Sequence, residues 1–436
     1  MKFKQLLHKA YFNSSILNRR DYERGRKLFI FEGSTGMGVF FLTTGAFLSG
    51  LANYMGASDE FNGIIGAIPV FAGVAQMFSS LVFEKLHRRK FLISLLCLIF
   101  RLLLGIMFFI PLFTSNTALR LALLAVIYGL AYSLSAFITP ALSNWLIDLT
   151  PVNIRGNYLA RKDAFSLAFI TVITFVLGKM LDIFKQNNNE ISGFVILGLI
   201  IIFLGVSNFG FLTYIKEPVI EKINNDIKLK HIFIKPVKDK KFRLIIILFI
   251  TWNIALQIAG PFFSVYMVTR LNLSYMYIMV MGVISSLVRM FIVPIWGRIA
   301  DNKSWVTCTK YSIGLLAVCH FLWLFVNNIT VIFLVPLLHV IGGMAWAGIN
   351  IALFNIQFLF SPKEGRTMYL GLNAAVGGLL GFLSTIVGSR ILTLLGDNGV
   401  TFFNFNFSNM QILFSISGIL LTICTLYINL FIKENN

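Results

Sequence analysis

Long stretches almost free of charge recur through this chain, and they constrain its fold more than any motif does. The first, Leu28–Gly50, holds a single ionisable residue, Glu32. A helix rises about 1.5 Å per residue and the hydrocarbon layer of a bilayer is about 30 Å thick, so about 20 apolar residues cross it. Twelve stretches qualify: Leu28–Gly50, Phe61–Phe83, Phe91–Phe113, Leu121–Leu146, Ala164–Leu181 and Phe194–Ile215, then Leu244–Val268, Met276–Trp296, Trp305–Val326, Val331–Phe358, Met368–Leu392 and Ile412–Ile432. The expectation is an all-α integral membrane protein of twelve transmembrane helices. Composition agrees: 13% of the 436 residues are charged and 57% hydrophobic, against about a quarter and about half in a soluble chain. A soluble enzyme, a secreted disulfide scaffold and a disordered chain are excluded.

The net charge of +19 would suit nucleic acid, but its distribution points to a membrane. With the N-terminus placed in the cytoplasm, the inner connections hold 29 of the 37 Lys and Arg residues. Membrane proteins concentrate basic residues in cytoplasmic loops. Both termini are therefore expected inside, in the plasma membrane, and nucleic-acid binding is not expected. The basic residues also divide the chain into a cytoplasmic arm (1–27), a first six-helix bundle (28–215), a linker (216–243), a second bundle (244–432) and a tail (433–436).

Little suggests a chemical site. Cys97, Cys308, Cys319 and Cys424 stand apart, in or beside apolar segments, as small hydrophobes. The five histidines are scattered, with no HxxxH pair, and there is no Gly-x-x-x-x-Gly-Lys-Ser/Thr loop. No cofactor, metal or cleavable leader is expected.

The halves repeat. Pro151, Arg155, Tyr158, Leu159 and Ala164 match Pro362, Arg366, Tyr369, Leu370 and Ala375 at a constant offset of 211, and Lys179 matches Arg390 at the same offset. The loop after span 8 reads Gly297-Arg298-Ile299-Ala300-Asp301, and the loop after span 2 carries a corresponding basic cluster with Arg88 and Arg89. Six plus six spans around a basic linker, with this Gly-Arg-x-x-Asp loop, resemble the major facilitator superfamily of secondary transporters over the whole chain. The 2–3 loop departs from the family pattern, with Glu84 in place of Gly and Arg88 in place of Asp. The glycine ladder of antiporters is missing from span 5, where Gly178 stands alone.

The resemblance implies a monomeric transporter of a small solute, working by alternating access and coupled to protons or sodium. The alternatives are a polytopic membrane enzyme and a receptor or scaffold of transporter ancestry. It also implies that span 8 lines the central cavity. Charge within hydrocarbon costs about 2.5–3.5 kcal/mol on insertion scales, which makes each buried ionisable group a functional candidate. Arg289 in span 8 is either a fixed charge for an anionic substrate or coupling acid, or half of a structural ion pair. Glu32 either carries a proton or closes a cytoplasmic salt bridge. Arg101, in a span that is peripheral in the resembled fold, is expected to snorkel or pack. Asn144, Trp145, Trp252, Asn253, Gln257, Trp346 and Asn350 are candidate cavity groups, or else interhelical hydrogen-bonding and interfacial residues. Gly297, Arg298, Asp301, Asp148, Arg155, Arg366, Arg88 and Arg89 form an expected cytoplasmic gate. In it, Asp301 would face the start of span 5, entered through Arg161 and Lys162, and Asp148 would meet Arg88 or Arg89.

The topology is open to direct test. A cysteine placed beside Lys230 should resist an impermeant thiol reagent on intact cells and react once the cells are opened. Labelling from outside would overturn the twelve-span arrangement.

Overall fold

The structure, a computed structural model, describes residues 11, 17–83, 86, 88–218, 235–362, 366–396, 399–402 and 405–433. Among them, eleven helices are long and apolar enough to cross a membrane, and a bent pair, Arg19–Leu42 with Gly45–Tyr54, supplies a twelfth span. After this first span come Asp59–Phe78, Lys90–Phe113, Thr117–Asp148, Asn157–Gln186 and Glu190–Tyr214. Lys240–Arg270, Tyr275–Asn302, Trp305–Phe325, Val331–Phe360, Tyr369–Leu395 and Asn409–Phe431 complete the set as spans 7 to 12. A short antiparallel pair, Val400–Phe402 with Phe405–Phe407, precedes the last helix. The sequence shows where several of these helices begin. Asn18, Asn116, Asp239, Ser274, Ser304 and Ser408 each accept a backbone N–H of the turn that follows, which satisfies donors that the helix leaves open.

Packing divides the chain into two units, Met1–Ala57 with Ala72–Asn225, and Ser58–Phe71 with Asp226–Asn436. The boundary within span 2 differs from the expected division, which kept residues 28–215 together. Residues 58–71 leave the first unit because their partners belong to the second. Arg270 Nη2 lies 2.8 Å from Asp59 Oδ2, Thr269 Oγ1 donates to Asp59 at 3.0 Å, and the Phe71 and Phe382 rings meet at 4.9 Å.

The repeat found in the sequence reappears in the packing. In the first unit, span 3 packs on spans 4 and 6, and span 1 on spans 5 and 6. In the second, span 9 packs on spans 10 and 12, and span 7 on spans 11 and 12. Each of these pairings in the first unit has its counterpart six spans later.

Two local features shape the first unit. Span 1 bends by 41° where Gly45 takes φ +58, a left-handed conformation that costs glycine little. The bend frees the carbonyl of Thr43, and the buried Tyr128 hydroxyl donates to it at 3.1 Å. The Tyr132 hydroxyl meets Thr43 Oγ1 at 3.0 Å. At the other end, Glu217 supplies what the start of span 3 lacks. The N-cap residue there, Arg89, makes no side-chain cap, and the Glu217 carboxylate accepts the N–H groups of Arg89 at 2.9 Å and Lys90 at 3.0 Å. Burial pushes the Glu217 carboxyl above its ordinary value, and these two donors pull it back. Tyr11 from the N-terminal arm closes the same corner, its hydroxyl bonded to Thr213 and its ring against Phe91.

Glu217→Ala removes this borrowed cap. By analogy with lost N-caps it should cost about 1 kcal/mol, read as a lower midpoint of thermal unfolding of the purified protein, with Glu217→Gln intermediate. An unchanged midpoint would show that the carboxylate is dispensable.

Candidate functional site

The first unit holds a partly open cavity of about 310 Å³, lined by parts of spans 1, 3, 4 and 5. Glu32 lies at its wall, with only 5% of its surface exposed, and it is the most deeply buried carboxylate among the described residues. The helix that carries it starts at Arg19 rather than near Leu28, so Glu32 sits several turns inside rather than one. Its partner is Arg101 of span 3, which is 4% exposed. Arg101 Nη2 stands 3.3 Å from Glu32 Oε1, and Nη1 donates to the Cys97 carbonyl at 3.3 Å. The expectation that Arg101 snorkels or merely packs is thus corrected. An isolated charge in this medium is too costly, and the guanidinium turns inward to the one carboxylate within reach.

Asn208 of span 6 completes the cluster. Its side-chain amide donates to the Glu32 carbonyl and to Thr35 Oγ1, both at 2.9 Å, and approaches Glu32 Oε1 at 3.4 Å. Lys162 reaches the cavity from span 5. Span 1 makes room for both cations with glycine. Any side chain at Gly33 would collide with the end of Lys162, and one at Gly36 with Arg101 Nη2. The run Glu32-Gly33-Ser34-Thr35-Gly36 therefore presents a carboxylate with a gap for a cation beside it and another one turn along. Lys162 is half-buried and makes no hydrogen bond or ion pair among the described residues. Sequence reasoning did not select Arg101, Lys162 or Asn208 for this cluster. The signals were two glycines following a lone acid, and an asparagine within the apolar run of span 6.

The remaining candidates fall in separate places. Trp145 is fully buried, its N–H directed at the Lys216 carbonyl at 3.4 Å and its ring edge-on to Phe29; Asn144 beside it is exposed. In the second unit, Trp252 and Trp346 meet edge to face at 5.9 Å. Asn253 donates to the Phe249 carbonyl at 2.7 Å and faces Gly377, while the Gln257 side chain lies against Gly381. Asn350 is exposed. Arg289 is half-buried in span 8 and donates to Ser286 of the same helix at 3.4 Å. Among the described residues it has no carboxylate partner.

Of the expected gate, Arg298 and Asp301 are exposed at the end of span 8, with open space beside Gly297. Arg155 donates to the Thr150 carbonyl at 3.2 Å and so fastens the turn between spans 4 and 5. Asp148 is exposed, with Arg89 and Arg155 as the charges acting on it; all three belong to the first unit. Arg88 is exposed. The Arg366 side chain and most of the 216–243 linker lie outside the described residues. Among those described, no group of three His, Cys, Asp or Glu could hold a metal.

The profile of the Major Facilitator Superfamily matches residues 28–385, most of the chain. The chain belongs to this family and is a secondary transporter. Solved structures share the fold at low identity. A nucleoside transporter, NupG, is 12% identical, with a TM-score of 0.67 over 95% of this chain and 100% of that one. A bacterial homologue of the iron transporter ferroportin, in an inward-facing state, is 13% identical, with a TM-score of 0.69 over 94% and 98%. A D-xylose–proton symporter is 13% identical, with a TM-score of 0.65 over 95% and 97%. Among curated protein sequences, none matches the chain.

Removing one member of a buried ion pair strands the other, at about 3–5 kcal/mol. Arg101→Gln should therefore lower the unfolding midpoint sharply. The Glu32→Gln/Arg101→Gln double variant, which buries no unpaired charge, should recover part of the loss. A double variant no better than the sum of its singles would show that the two side chains act independently.

Proposed function

We propose that this transporter couples solute movement to protons and that Glu32 carries the coupling proton. The supporting observation is its position: the most deeply buried carboxylate among the described residues, at the wall of a cavity and held by a guanidinium. Sodium fits this carboxylate poorly, because Arg101 already occupies the place of a cation and would repel a second. A proton neutralises the acid and leaves Arg101 free. The carboxylate thus has two states with different partners, and a ligand that prefers one of them shifts the population accordingly.

Arg289 supplies a second fixed charge on the transport path. A guanidinium stays protonated at physiological pH, so one in a membrane span without a carboxylate partner must meet water or an anionic ligand. On this reading Trp252, Asn253, Gln257, Trp346 and Asn350 contribute polar and aromatic groups in the second unit, and Asn144 one in the first. Arg298, Asp301, Asp148, Arg155, Arg366, Arg88 and Arg89 form the cytoplasmic layer that opens and closes. The protein works as a monomer in the plasma membrane, with both termini in the cytoplasm and its arm, linker and tail facing the same side.

Proteoliposomes loaded with a pH dye test the coupling. Transported solutes from a small-molecule panel should acidify the lumen of wild-type vesicles. Glu32→Gln should abolish the acidification and the response of uptake to a pH gradient, while solute exchange persists. Well-folded Arg289→Gln should transport at about a tenth of the wild-type rate or less, a loss equivalent to 1.4 kcal/mol or more, with Arg289→Lys less affected. Gradient-driven uptake that survives in Glu32→Gln would overturn the proton assignment.

A further inference from the structure

We propose that the cavity beside Glu32 binds a small organic monocarboxylate with an apolar body, anchored by Lys162 and by Arg101 once Glu32 is protonated. The inference rests on the proton reading above and adds the class of substrate. It begins with charge. Two cations, Arg101 and Lys162, reach the cavity against one carboxylate. Glu32 is already engaged by Arg101 and Asn208, so Lys162 is left without a counter-charge among the described residues. Arg101 is itself under-used: its Nε is buried and has no hydrogen-bond partner. Both cations can therefore take a further acceptor, and a carboxylate offers two oxygens.

Charge balance across the transport cycle points the same way. With Glu32 ionised and the cavity empty, Glu32, Arg101 and Lys162 sum to one positive charge. With Glu32 protonated and a monoanion bound, they sum to one positive charge again. Empty and loaded sites then meet the low-dielectric membrane with equal charge, so neither form carries an extra desolvation cost through the conformational change. A neutral solute bound with the proton would leave two positive charges, and a cation three. A dianion with one proton would leave none.

The walls set the rest of the ligand. At about 310 Å³ the cavity is at the small end of the range for ligand sites, about 300–1,000 Å³, which suits a single ring or a short branched chain. Met37, Phe40, Phe100, Leu104, Ile138 and Leu142 line it and favour an apolar body over an inorganic anion. Tyr132, Ser135 and Thr139 add hydroxyls from span 4. The titratable and charged groups facing Glu32 are Arg101 and Cys97 from span 3, Lys162 and Tyr158 from span 5, and Tyr132 from span 4. Span 6 contributes the neutral Asn208. Of these, Glu32 is the group whose protonation releases a cation for the ligand.

Benzoate is the probe, with benzyl alcohol as its neutral counterpart, and binding is followed by thermal stabilisation and calorimetry on the purified full-length protein. Benzoate should bind the wild type at least tenfold more tightly than benzyl alcohol. Lys162→Gln should weaken benzoate at least tenfold. Glu32→Gln should bind it at least as tightly as the wild type, because Arg101 is released permanently. Equal affinity for benzoate and benzyl alcohol, or wild-type affinity in Lys162→Gln, would overturn the anion site. Should Lys162→Gln fail to fold, the comparison of the two ligands on the wild type decides alone. The proton reading fails separately, through gradient-driven uptake that persists in Glu32→Gln.

Discussion

Hydrocarbon offers no hydrogen bonds, and the architecture follows from that. Every backbone N–H and C=O within the bilayer must find its partner in the protein, which leaves the helix as the natural crossing element. The same rule governs the exceptions. Where span 1 breaks its own ladder at Gly45, the released carbonyl of Thr43 is taken by Tyr128. Where span 3 starts without a cap of its own, Glu217 reaches across to it. Where a carboxylate enters the core of the first unit, a guanidinium and an amide come with it. Burying charge is costly in proportion to how poorly it is compensated, and at Glu32 two neighbouring helices supply the compensation.

The twelve spans were readable in the sequence because membrane thickness turns a three-dimensional requirement into a length of apolar chain. The repeat was readable because duplication leaves residues such as Arg155 and Arg366 in register. The fifth span was expected as Ala164–Leu181, yet the helix runs from Val152 to Gln186, since Arg and Lys are good helix formers and end an apolar stretch without ending a helix. The partner of Glu32 was not readable. Arg101 lies 69 residues away on a different helix, and the rotation of each helix about its axis decides whether two such side chains point together. Hydropathy carries no information about that rotation. Gly33 and Gly36 do carry some, because a missing side chain next to a lone acid leaves room for a neighbour, but the signal becomes specific only when the neighbour is known.

The two halves resemble one another in packing and differ in charge. In the first, the acid and its cations gather around one cavity. In the second, a guanidinium stands without a carboxylate partner among the described residues, with aromatic and amide groups on spans 7 and 10 of the same unit. A duplicated scaffold can keep its helix contacts while its polar positions diverge, because apolar contacts tolerate exchange of similar side chains far better than a buried charge tolerates loss of its partner.

The bend in span 1 has an origin outside span 1. No proline produces it, and the hydroxyls that hold the freed Thr43 groups, Tyr128 and Tyr132, belong to span 4. A helix deprived of those partners in lipid would regain its lost hydrogen bonds by straightening. The shape of the first transmembrane segment is thus imposed by a helix synthesised some eighty residues later. The bend of span 1 and the seating of Tyr128 are coupled, since the hydrogen bond between them is made only when both helices are in place.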